Sequence, residues 1–313
     1  MPLVTFEQFM DKALHDPQHG YYARRIAAVG RRGDFTTAPM LSDTLALAIA
    51  AWVERAMKEC GCRNLIEIGP GEGTLAAGVL KQLAWPARWR TKLHLVESSA
   101  PLAERQRQLL GNRARWHSDI PHALAACGGH AVIYSNELVD AFPVRRFQKT
   151  ALGWQELALE LAAGHTRESL LPPAPLPDSS GFLEAHPLGQ WIEVHDSYRR
   201  HLNAWLPHWK SGRLLTIDYG ARAETLYQRR PQGTIRAYLH QQRLEGVEIY
   251  QNPGRQDLTA DVNFTDLVKW SEPWMESSQL TSYQDFLHHA TLTDDLKLGE
   301  AFLVLDQKRS LVK

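Results

Sequence analysis

The feature that most constrains the fold of this chain is a short apolar run that ends in three closely spaced glycines. Residues 65–68 read Leu-Ile-Glu-Ile and lead to Gly69, Gly71 and Gly73, after which residues 74–83 show helical periodicity. A strand that turns sharply into a helix needs glycine, which adopts positive φ and lets a ligand approach the backbone. The helix that follows directs its N-terminal N–H groups toward that ligand. The pattern predicts a nucleoside-type cofactor at the carboxyl end of a first strand.

The same alternation of strand and helix continues along the chain. A helix is predicted over residues 101–110, between two of the later strands. Further strands are predicted at residues 92–97, 115–116, 131–135, 214–218 and 301–306. Strands that alternate with helices indicate an α/β protein with a parallel sheet.

The segments that flank this core have a different character, and we divide the chain accordingly. This division describes one large domain, or a core with a small subdomain. The parts are 1–60, an N-terminal helical cap; 61–150, the cofactor-binding core; 151–210, an insertion; and 211–313, the end of the core sheet with a substrate-side insertion.

Four local predictions concern the flanking segments. Ser42 is suited to cap the helix that ends the first part. In the first insertion we expect a strand over residues 154–161 and a helix over residues 189–205. Residues 219–295 are rich in turn residues and then helical in pattern.

Charge and cysteine content limit the range of functions. The 313 residues contain 35 Lys and Arg and 35 Asp and Glu, so the formal charge is zero and we expect no nucleic-acid partner. Apolar runs stay short of the ~20 residues that span a bilayer, and no basic start precedes an apolar run. We therefore expect a cytoplasmic protein with no membrane partner. Cys60, Cys62 and Cys127 are too few for a disulfide framework, and we predict no metal site.

Details of the glycine loop distinguish between possible cofactors. A dinucleotide site has its third glycine at the position of Thr74, and a phosphate-binding P-loop ends in Gly-Lys-Ser/Thr, which is missing here. Pro70 removes one N–H donor that phosphates use. Glu67 and Glu72 repel a pyrophosphate but tolerate a cofactor that carries an ammonium and a sulfonium group. We assign Glu67 to the cofactor site together with the three glycines.

Two further carboxylates complete this prediction. Glu97 ends the second strand, where a carboxylate accepts hydrogen bonds from both ribose hydroxyls. Asp119 follows the third strand and is suited to accept from an adenine amino group, and Asn136 after the next strand is expected to contact the cofactor. Together they predict S-adenosyl-L-methionine. The predicted fold is α/β, a class I methyltransferase Rossmann-like sheet with a helical N-terminal segment and substrate-side insertions.

The segment 135–144, Ser-Asn-Glu-Leu-Val-Asp-Ala-Phe-Pro-Val, resembles the MidA-like family of methyltransferases. That family is related to the mitochondrial complex I assembly factor that methylates arginine on a complex I subunit. The resemblance runs from about residue 5 to 268, and its other motifs lie at residues 20–22, 33–37, 67–73, 96–97, 218–220, 233–238 and 253–260. Met40 and Asp261 depart from the family pattern on the expected substrate side. The resemblance implies a methyltransferase that acts on protein arginine.

Arginine is a difficult methyl acceptor because its guanidinium stays protonated in water. Carboxylates that bind it in a bidentate manner localise its charge and leave one nitrogen free to attack. Glu137 and Asp140 follow the strand that ends beside the methyl group in this fold, and we predict them as the catalytic residues, although such acidic residues also commonly cap helices. The remaining predicted contacts are Thr37 with the cofactor, and Asp34, Tyr219 and His240 with the substrate.

Two alternatives to a protein arginine methyltransferase remain open. The loops at residues 165–187 and 219–262 are long enough to cover a small ligand, which is the pattern of a small-molecule methyltransferase. The departures at Met40 and Asp261 leave room for an assembly factor that binds S-adenosylmethionine without turnover. We expect a protein substrate as the main partner, and a homodimer is left open.

Overall fold

The structure is a computed structural model that describes residues 3–24, 39–162, 165–240, 242–288 and 301–310. Its helices are α1 (Phe6–His15), α2 (Tyr21–Arg24), α3 (Pro39–Cys60), α4 (Thr74–Gln82), α5 (Trp85–Arg90), α6 (Ala100–Leu110), α7 (Ile120–Ala126), α8 (Asp196–Trp205), α9 (Ala223–Leu226), α10 (Phe264–Ser271) and α11 (Tyr283–His288). Its strands are β1 (Leu3–Thr5), β2 (Asn64–Ile68), β3 (Lys92–Val96), β4 (Ala114–His117), β5 (Val132–Asn136), β6 (Arg145–Thr150), β7 (Gly153–Ala162), β8 (His165–Leu170), β9 (Trp191–Val194), β10 (Arg213–Ala221), β11 (Arg236–Leu239), β12 (Gln242–Leu244), β13 (Asp257–Thr259), β14 (Val262–Asn263), β15 (Met275–Ser282) and β16 (Phe302–Arg309).

The largest sheet has the strand order β15-β16-β10-β5-β2-β3-β4, with β14 pairing alongside β10. From β4 to β10 all neighbouring strands are parallel, whereas β16 runs antiparallel to β10 and to β15. Helices cover both faces, as expected for a parallel sheet that is buried on both sides. The predicted α/β Rossmann-like class is therefore confirmed.

The strands of this sheet are apolar on both faces because two cores pack against it. Leu65 and Val132 face one core with α3 and α4, while Ile66 and Ile133 on the same strands face the other core with α7, α8 and α10. All four side chains have no exposed area. Side chains alternate between the two faces along each strand, so this alternation also decides which face the residues at the strand ends point toward.

The sheet has a topological switch point between β2 and β5. β2 pairs with β3 on one side and with β5 on the other, so the connections from these strands leave in opposite directions and open a crevice at their carboxyl ends. The register aligns Ile68 with both Val96 and Ser135, and Ile217 with Asn136. The residues that follow these positions therefore meet at one edge of the sheet.

A second sheet stands beside the first and is built from β1, β7, β6 and β9, with β8 pairing with β7. α1 packs on it through Phe6, Met10 and Leu14, all fully buried. Thr5 begins α1 with a capping box, in which Thr5 and Gln8 satisfy each other's backbone N–H groups. A third sheet, β12-β11-β13, joins the same apolar cluster.

The structure differs from three local predictions on the flanking segments, two of which are correct in part. The predicted helix over residues 189–205 is the strand β9 followed by α8, because Trp191–Val194 is buried throughout and pairs with β6. The helix that Ser42 was expected to cap begins earlier, at Pro39, since proline is well suited to a first helical turn. Within residues 219–295, the described part holds five strands, β11–β15, in addition to helix; most are too short to show alternation. The predicted strand over 154–161 is present as β7, and no described helix is long and apolar enough to cross a membrane.

Candidate functional site

The glycine loop leaves β2 at the switch point in a conformation that few other residues adopt. Gly69, Gly71 and Gly73 have φ values of 65°, 55° and 81°, and Gly73 is the N-cap of α4. The Gly73 N–H donates to the Pro70 carbonyl at 2.8 Å, which closes the turn. A Cβ on Gly71 would meet no protein atom within 4 Å, so the backbone there borders open space.

Glu97 follows β3 and lies directly beside this loop. One carboxylate oxygen accepts from the Ser99 N–H at 2.7 Å, and the other accepts from the Gln106 side-chain amide at 3.1 Å. Burial raises the pKa of Glu97, while these hydrogen bonds favour its ionised form. The carboxylate is thus held at the position that the sequence predicted for a ribose contact, and that contact stays a prediction.

Gln106 on α6 connects the parts of the cofactor region and was not predicted. It has no exposed area, and its amide nitrogen donates to the Gly71 carbonyl at 2.7 Å as well as to Glu97. Its carbonyl oxygen accepts from the Trp116 indole at 2.9 Å. The available sequence signal was a polar residue on the buried face of α6, between Leu102 and Leu110. Gln106 fixes the loop, the carboxylate and β4 relative to each other.

The other predicted cofactor residues occupy three different environments. Glu67 is 2% exposed and accepts from the Tyr134 hydroxyl at 2.8 Å, and burial raises its pKa to about 8. Asp119 is the N-cap of α7, where the His122 N–H donates to it and lowers its pKa. Asn136 ends β5 and donates to the Glu137 carboxylate at 3.1 Å. Their contacts with a cofactor stay predictions, and Thr37 lies outside the described residues.

The chain beyond β5 is held in place by Asp218 at the same edge of the sheet. One oxygen of this fully buried carboxylate accepts from the N–H groups of Leu138, Val139 and Asp140 at 3.1, 2.8 and 3.4 Å. Burial raises the pKa of Asp218 to about 7, and these backbone donors oppose the shift. Sequence reasoning saw Asp218 only as part of a family motif. Its structural role is to position the loop that carries the two predicted catalytic residues.

Glu137 and Asp140 lie on this loop within a group of carboxyl groups, which we call the carboxylate cluster: Glu137, Asp140, Asp218 and Asp257. Glu137 adopts a φ of 49°, which is strained for a residue with a side chain. Burial, together with the Asp140 charge, raises the pKa of Glu137 to about 8. Burial also raises the pKa of Asp140 well above its ordinary value, and Asp218 and Asp257 add to that shift.

One cation beside the cluster is shared with a further carboxylate. Arg236 lowers the pKa of Asp140, but its guanidinium is ion-paired with Asp261, which is also paired with Arg230. The Tyr22 hydroxyl donates to Asp257 at 2.9 Å and ties the N-terminal segment to this side. Burial and the mutual repulsion of the carboxylates raise the pKa values of Glu137 and Asp140, so the carboxylate cluster is an environment that favours a cation.

The predicted substrate residues divide between the site and its surroundings. Tyr219 follows Asp218, its ring centroid lies 3.8 Å from that of Phe302, and burial followed by the Glu137 charge raises its pKa. Tyr219 therefore faces the carboxylate cluster. His240 is exposed at the turn between β11 and β12 with a φ of 50°. Asp34 lies outside the described residues. All three assignments stay predictions.

The described residues were also compared with the side-chain arrangements that bind metal ions. No group of three or more His, Cys, Asp or Glu side chains among these residues is arranged to hold a metal ion. Cys60 and Cys62 are free thiols whose sulfur atoms lie 3.1 Å apart. They lie at the amino end of β2, away from the glycine loop.

The geometry defines a class of protein. A parallel sheet with one antiparallel strand, a glycine loop at its switch point and a carboxylate after the next strand form the nucleoside site of a class I S-adenosylmethionine-dependent methyltransferase. The residues fit this cofactor, because the backbone at Gly71 borders open space and Glu97 has a carboxylate fixed beside it.

Comparison with known proteins agrees with this class. Residues 48–278 match the family described as "Putative S-adenosyl-L-methionine-dependent methyltransferase". The match covers more than half of the chain, so the chain belongs to this family and S-adenosylmethionine is its cofactor.

Curated relatives carry more specific names. The mouse (Mus musculus) mitochondrial protein arginine methyltransferase NDUFAF7 is 26% identical over 94% of this chain and 72% of its own length. The Drosophila melanogaster homologue is 28% identical over 83% of this chain and 65% of its own length.

Solved structures show the same fold, and one of them has a bound cofactor product. A Burkholderia thailandensis protein bound to S-adenosyl-homocysteine has a TM-score of 0.85 and 27% identity, over 99% of this chain and 89% of that one. A second structure from the same organism, covering 99% of this chain and 88% of its own, has a TM-score of 0.82 and 27% identity. The predicted cofactor and enzyme class are therefore confirmed.

Proposed function

We propose that this chain transfers a methyl group from S-adenosylmethionine to a guanidinium nitrogen of an arginine in a protein substrate. The observation that carries the proposal is the carboxylate cluster at the carboxyl ends of β5 and β10, next to the glycine loop. Glu137 and Asp140 have raised pKa values there because burial and neighbouring negative charges disfavour their ionised forms. A cationic acceptor relieves that repulsion, whereas a neutral acceptor does not.

Electrostatics explain how such a cluster selects a guanidinium. Buried carboxyl groups with raised pKa values are partly protonated when the site is empty, and an arriving cation favours their ionised form. The planar guanidinium presents several N–H donors in a fixed geometry that matches paired carboxylates, which an ammonium does not. Two carboxylates on one loop, Glu137 and Asp140, are therefore better suited to arginine than to lysine.

The reaction needs one chemical contribution from the cofactor, which supplies an electrophilic methyl group when it is bound. The chain's own residues do the rest. Glu137 binds the guanidinium, localises its positive charge and accepts the proton that the attacking nitrogen loses. Asp140 holds the other side of the guanidinium. Asp218 positions both through the backbone N–H groups of their loop.

The named relatives support the same acceptor. The mouse and fly proteins are called protein arginine methyltransferases, and this chain aligns with 72% and 65% of their lengths. The arginine acceptor and the protein substrate are proposed for this chain on that support together with the cluster. A cytoplasmic location and a homodimer remain predictions.

The proposal is tested by labelling. The full chain is incubated with methyl-labelled S-adenosylmethionine and a lysate from cells that lack the protein, and the labelled product is digested and analysed by mass spectrometry. We expect label in a protein, on an arginine side chain. Label confined to small molecules would support a small-molecule methyltransferase instead. Binding of the cofactor with no labelled product in any fraction would support a scaffold without turnover.

A further inference from the structure

The short helix α5 carries two strongly exposed tryptophans. Trp85 is 77% exposed and Trp89 is 66% exposed. Residues four apart on a helix lie on the same face, so the two indoles stand side by side. Tryptophan is highly buried on average in folded proteins, so an exposed pair on one face marks an interaction surface.

The two chain segments around this pair are rich in basic residues. Residues 84–92 and 111–117 contain five Lys and Arg residues and no Asp or Glu. We call the pair and these cations the Trp–Arg patch: Trp85, Trp89, Arg88, Arg90, Lys92, Arg113 and Arg115. The Glu54 carboxylate accepts from the Ala84 N–H at 2.6 Å at the start of α5, so one negative charge lies near these five positive ones. The patch is therefore a local positive region on a chain with zero formal charge.

A cavity of about 200 Å³ opens within the patch. Its lining includes one indole and several hydrogen-bond donors: Trp89, Thr91, Lys92, Asn112, Arg113 and Arg115. The Arg113 guanidinium stacks over the Trp89 ring at 5.0 Å and donates to the Arg88 carbonyl at 3.0 Å, which fixes the cavity wall. Cationic donors around a small cavity suit a phosphate group.

The position of the patch separates it from the methyl-transfer site. β3 begins at Lys92 and β4 begins at Ala114, so the patch lies at the amino ends of these strands. The glycine loop and Glu97 lie at the carboxyl ends of β2 and β3. A surface that contacts the patch therefore leaves the crevice of the active site open.

We propose that the Trp–Arg patch is a docking surface for an anionic membrane, with a lipid phosphate in the cavity and the two indoles among the headgroups. Indole rings favour the membrane–water interface, and clustered Lys and Arg are attracted to anionic lipids. The sequence predicted no membrane partner from the lack of a spanning segment, but peripheral docking needs none.

Single-stranded nucleic acid fits the patch less well. Nucleic-acid sites line a basic groove that follows several phosphates, with aromatic rings as stacking platforms along it. Here the cations belong to two short segments around one small cavity, and the indoles project from a helix. The geometry favours one headgroup pocket with interfacial anchors beside it.

The test is sedimentation of the full chain with lipid vesicles. One set contains phosphatidylglycerol and phosphatidylcholine in equal parts, and the other contains phosphatidylcholine alone. The variants are Trp85→Ala/Trp89→Ala and Arg113→Gln/Arg115→Gln. Leu183→Ala, which removes an 80% exposed apolar side chain elsewhere, is the matched control. Calorimetric binding of S-adenosylhomocysteine confirms that each variant is folded.

We expect binding to the anionic vesicles that weakens with added salt, and about tenfold weaker binding for each double variant. The Leu183→Ala variant is expected to bind as the parent does. Equal binding to both vesicle sets, no binding to either, or full binding by both double variants would overturn the proposal. So would binding of a single-stranded RNA or of polyglutamate that depends on these residues while the vesicles stay unbound.

Discussion

The cofactor region and the acceptor region meet at one edge of the sheet, but they use carboxylates in opposite ways. In the cofactor region, Glu97 receives hydrogen bonds at both oxygens, from Ser99 and Gln106, so its charged form has partners before any ligand arrives. In the acceptor region, burial and mutual repulsion raise the pKa values of Glu137 and Asp140. The cofactor region is therefore preorganised for its ligand. The acceptor region becomes more favourable when a positively charged ligand binds.

The two sites obtain their specificity from different physical properties. The cofactor site depends on backbone geometry, because three glycines with positive φ create a surface that side chains would block. The acceptor site depends on charge, because the pKa values of its carboxyl groups are raised and a bound cation favours their ionised form. Substitutions in one region are therefore expected to have little effect on ligand binding in the other.

The largest expected effect is on methyl transfer by Glu137→Gln. The amide keeps the size of the side chain but loses the charge and the proton acceptor, so we expect transfer to fall by about 1,000-fold. The measurement is the rate of label incorporation into the substrate protein. Glu276→Gln, on an exposed strand position, is the matched control and should retain the parent rate. Transfer that survives Glu137→Gln would remove this residue from the mechanism.

A second effect tests whether the cofactor fills the space beside Gly71. The methyl group of an alanine at this position would meet no protein atom within 4 Å. A loss of cofactor binding would therefore come from a clash with the ligand, together with the backbone cost of a positive φ. Gly61→Ala has the same backbone cost, with a φ of 64° and open space, far from the loop. We expect Gly71→Ala to weaken S-adenosylhomocysteine binding by about 30-fold in calorimetry, and Gly61→Ala to leave it unchanged. Equal losses in both variants would mean that strain alone is responsible.

A third effect concerns the pH dependence of transfer. Glu137 must be ionised to act, and its pKa in the empty site is about 8. The value of kcat/KM should therefore rise about tenfold per pH unit below about pH 8 and level off above it. A profile that is flat between about pH 6 and pH 8 would contradict the raised pKa. An acid-side optimum would point to a different acceptor chemistry.

The smallest effect is on stability. The ordinary pKa of a glutamate is 4.5, and that of Glu137 in the folded chain is about 8, so the folded state binds the proton more tightly. Stability is therefore lost as pH rises from about 4.5 to 8, and Glu137→Gln removes that loss. We expect the variant to be more stable than the parent by about 1–2 kcal/mol at pH 9, after allowance for solvent screening, and equal at about pH 4. Denaturant unfolding at the two pH values measures this difference, and a variant less stable at pH 9 would contradict it.

Much of the cofactor region follows from local sequence. Residues 65–97 contain, in order, a strand, the glycines, a helix, a second strand and a carboxylate. Each of these elements could be predicted from its own periodicity and turn chemistry. The sheet class could be predicted for the same reason. Gln106 could not be assigned, since its role depends on α6 bringing it against Gly71 and Trp116 at the same time.

The acceptor region depends on contacts between distant parts of the chain, and prediction was weaker there. Asp218 lies about eighty residues beyond the loop whose N–H groups it receives, so no local pattern reveals the pairing. β9 was mistaken for the start of a helix because its four buried residues show no alternation, and only pairing with β6 makes it a strand. Glu137 and Asp140 were found because they follow a predicted strand, but their raised pKa values come from tertiary packing.

The most direct test of the contrast between the two regions is calorimetric titration with S-adenosylhomocysteine of the parent chain, Glu97→Ala and Glu137→Gln. Glu97→Ala should bind S-adenosylhomocysteine about 100-fold more weakly than the parent, because it loses a charged, bidentate partner. Glu137→Gln should bind within about twofold of the parent, although it no longer transfers methyl groups. Tight binding of S-adenosylhomocysteine by Glu97→Ala, or a large loss of its binding by Glu137→Gln, would contradict the assignment of Glu97 to the cofactor and Glu137 to the acceptor.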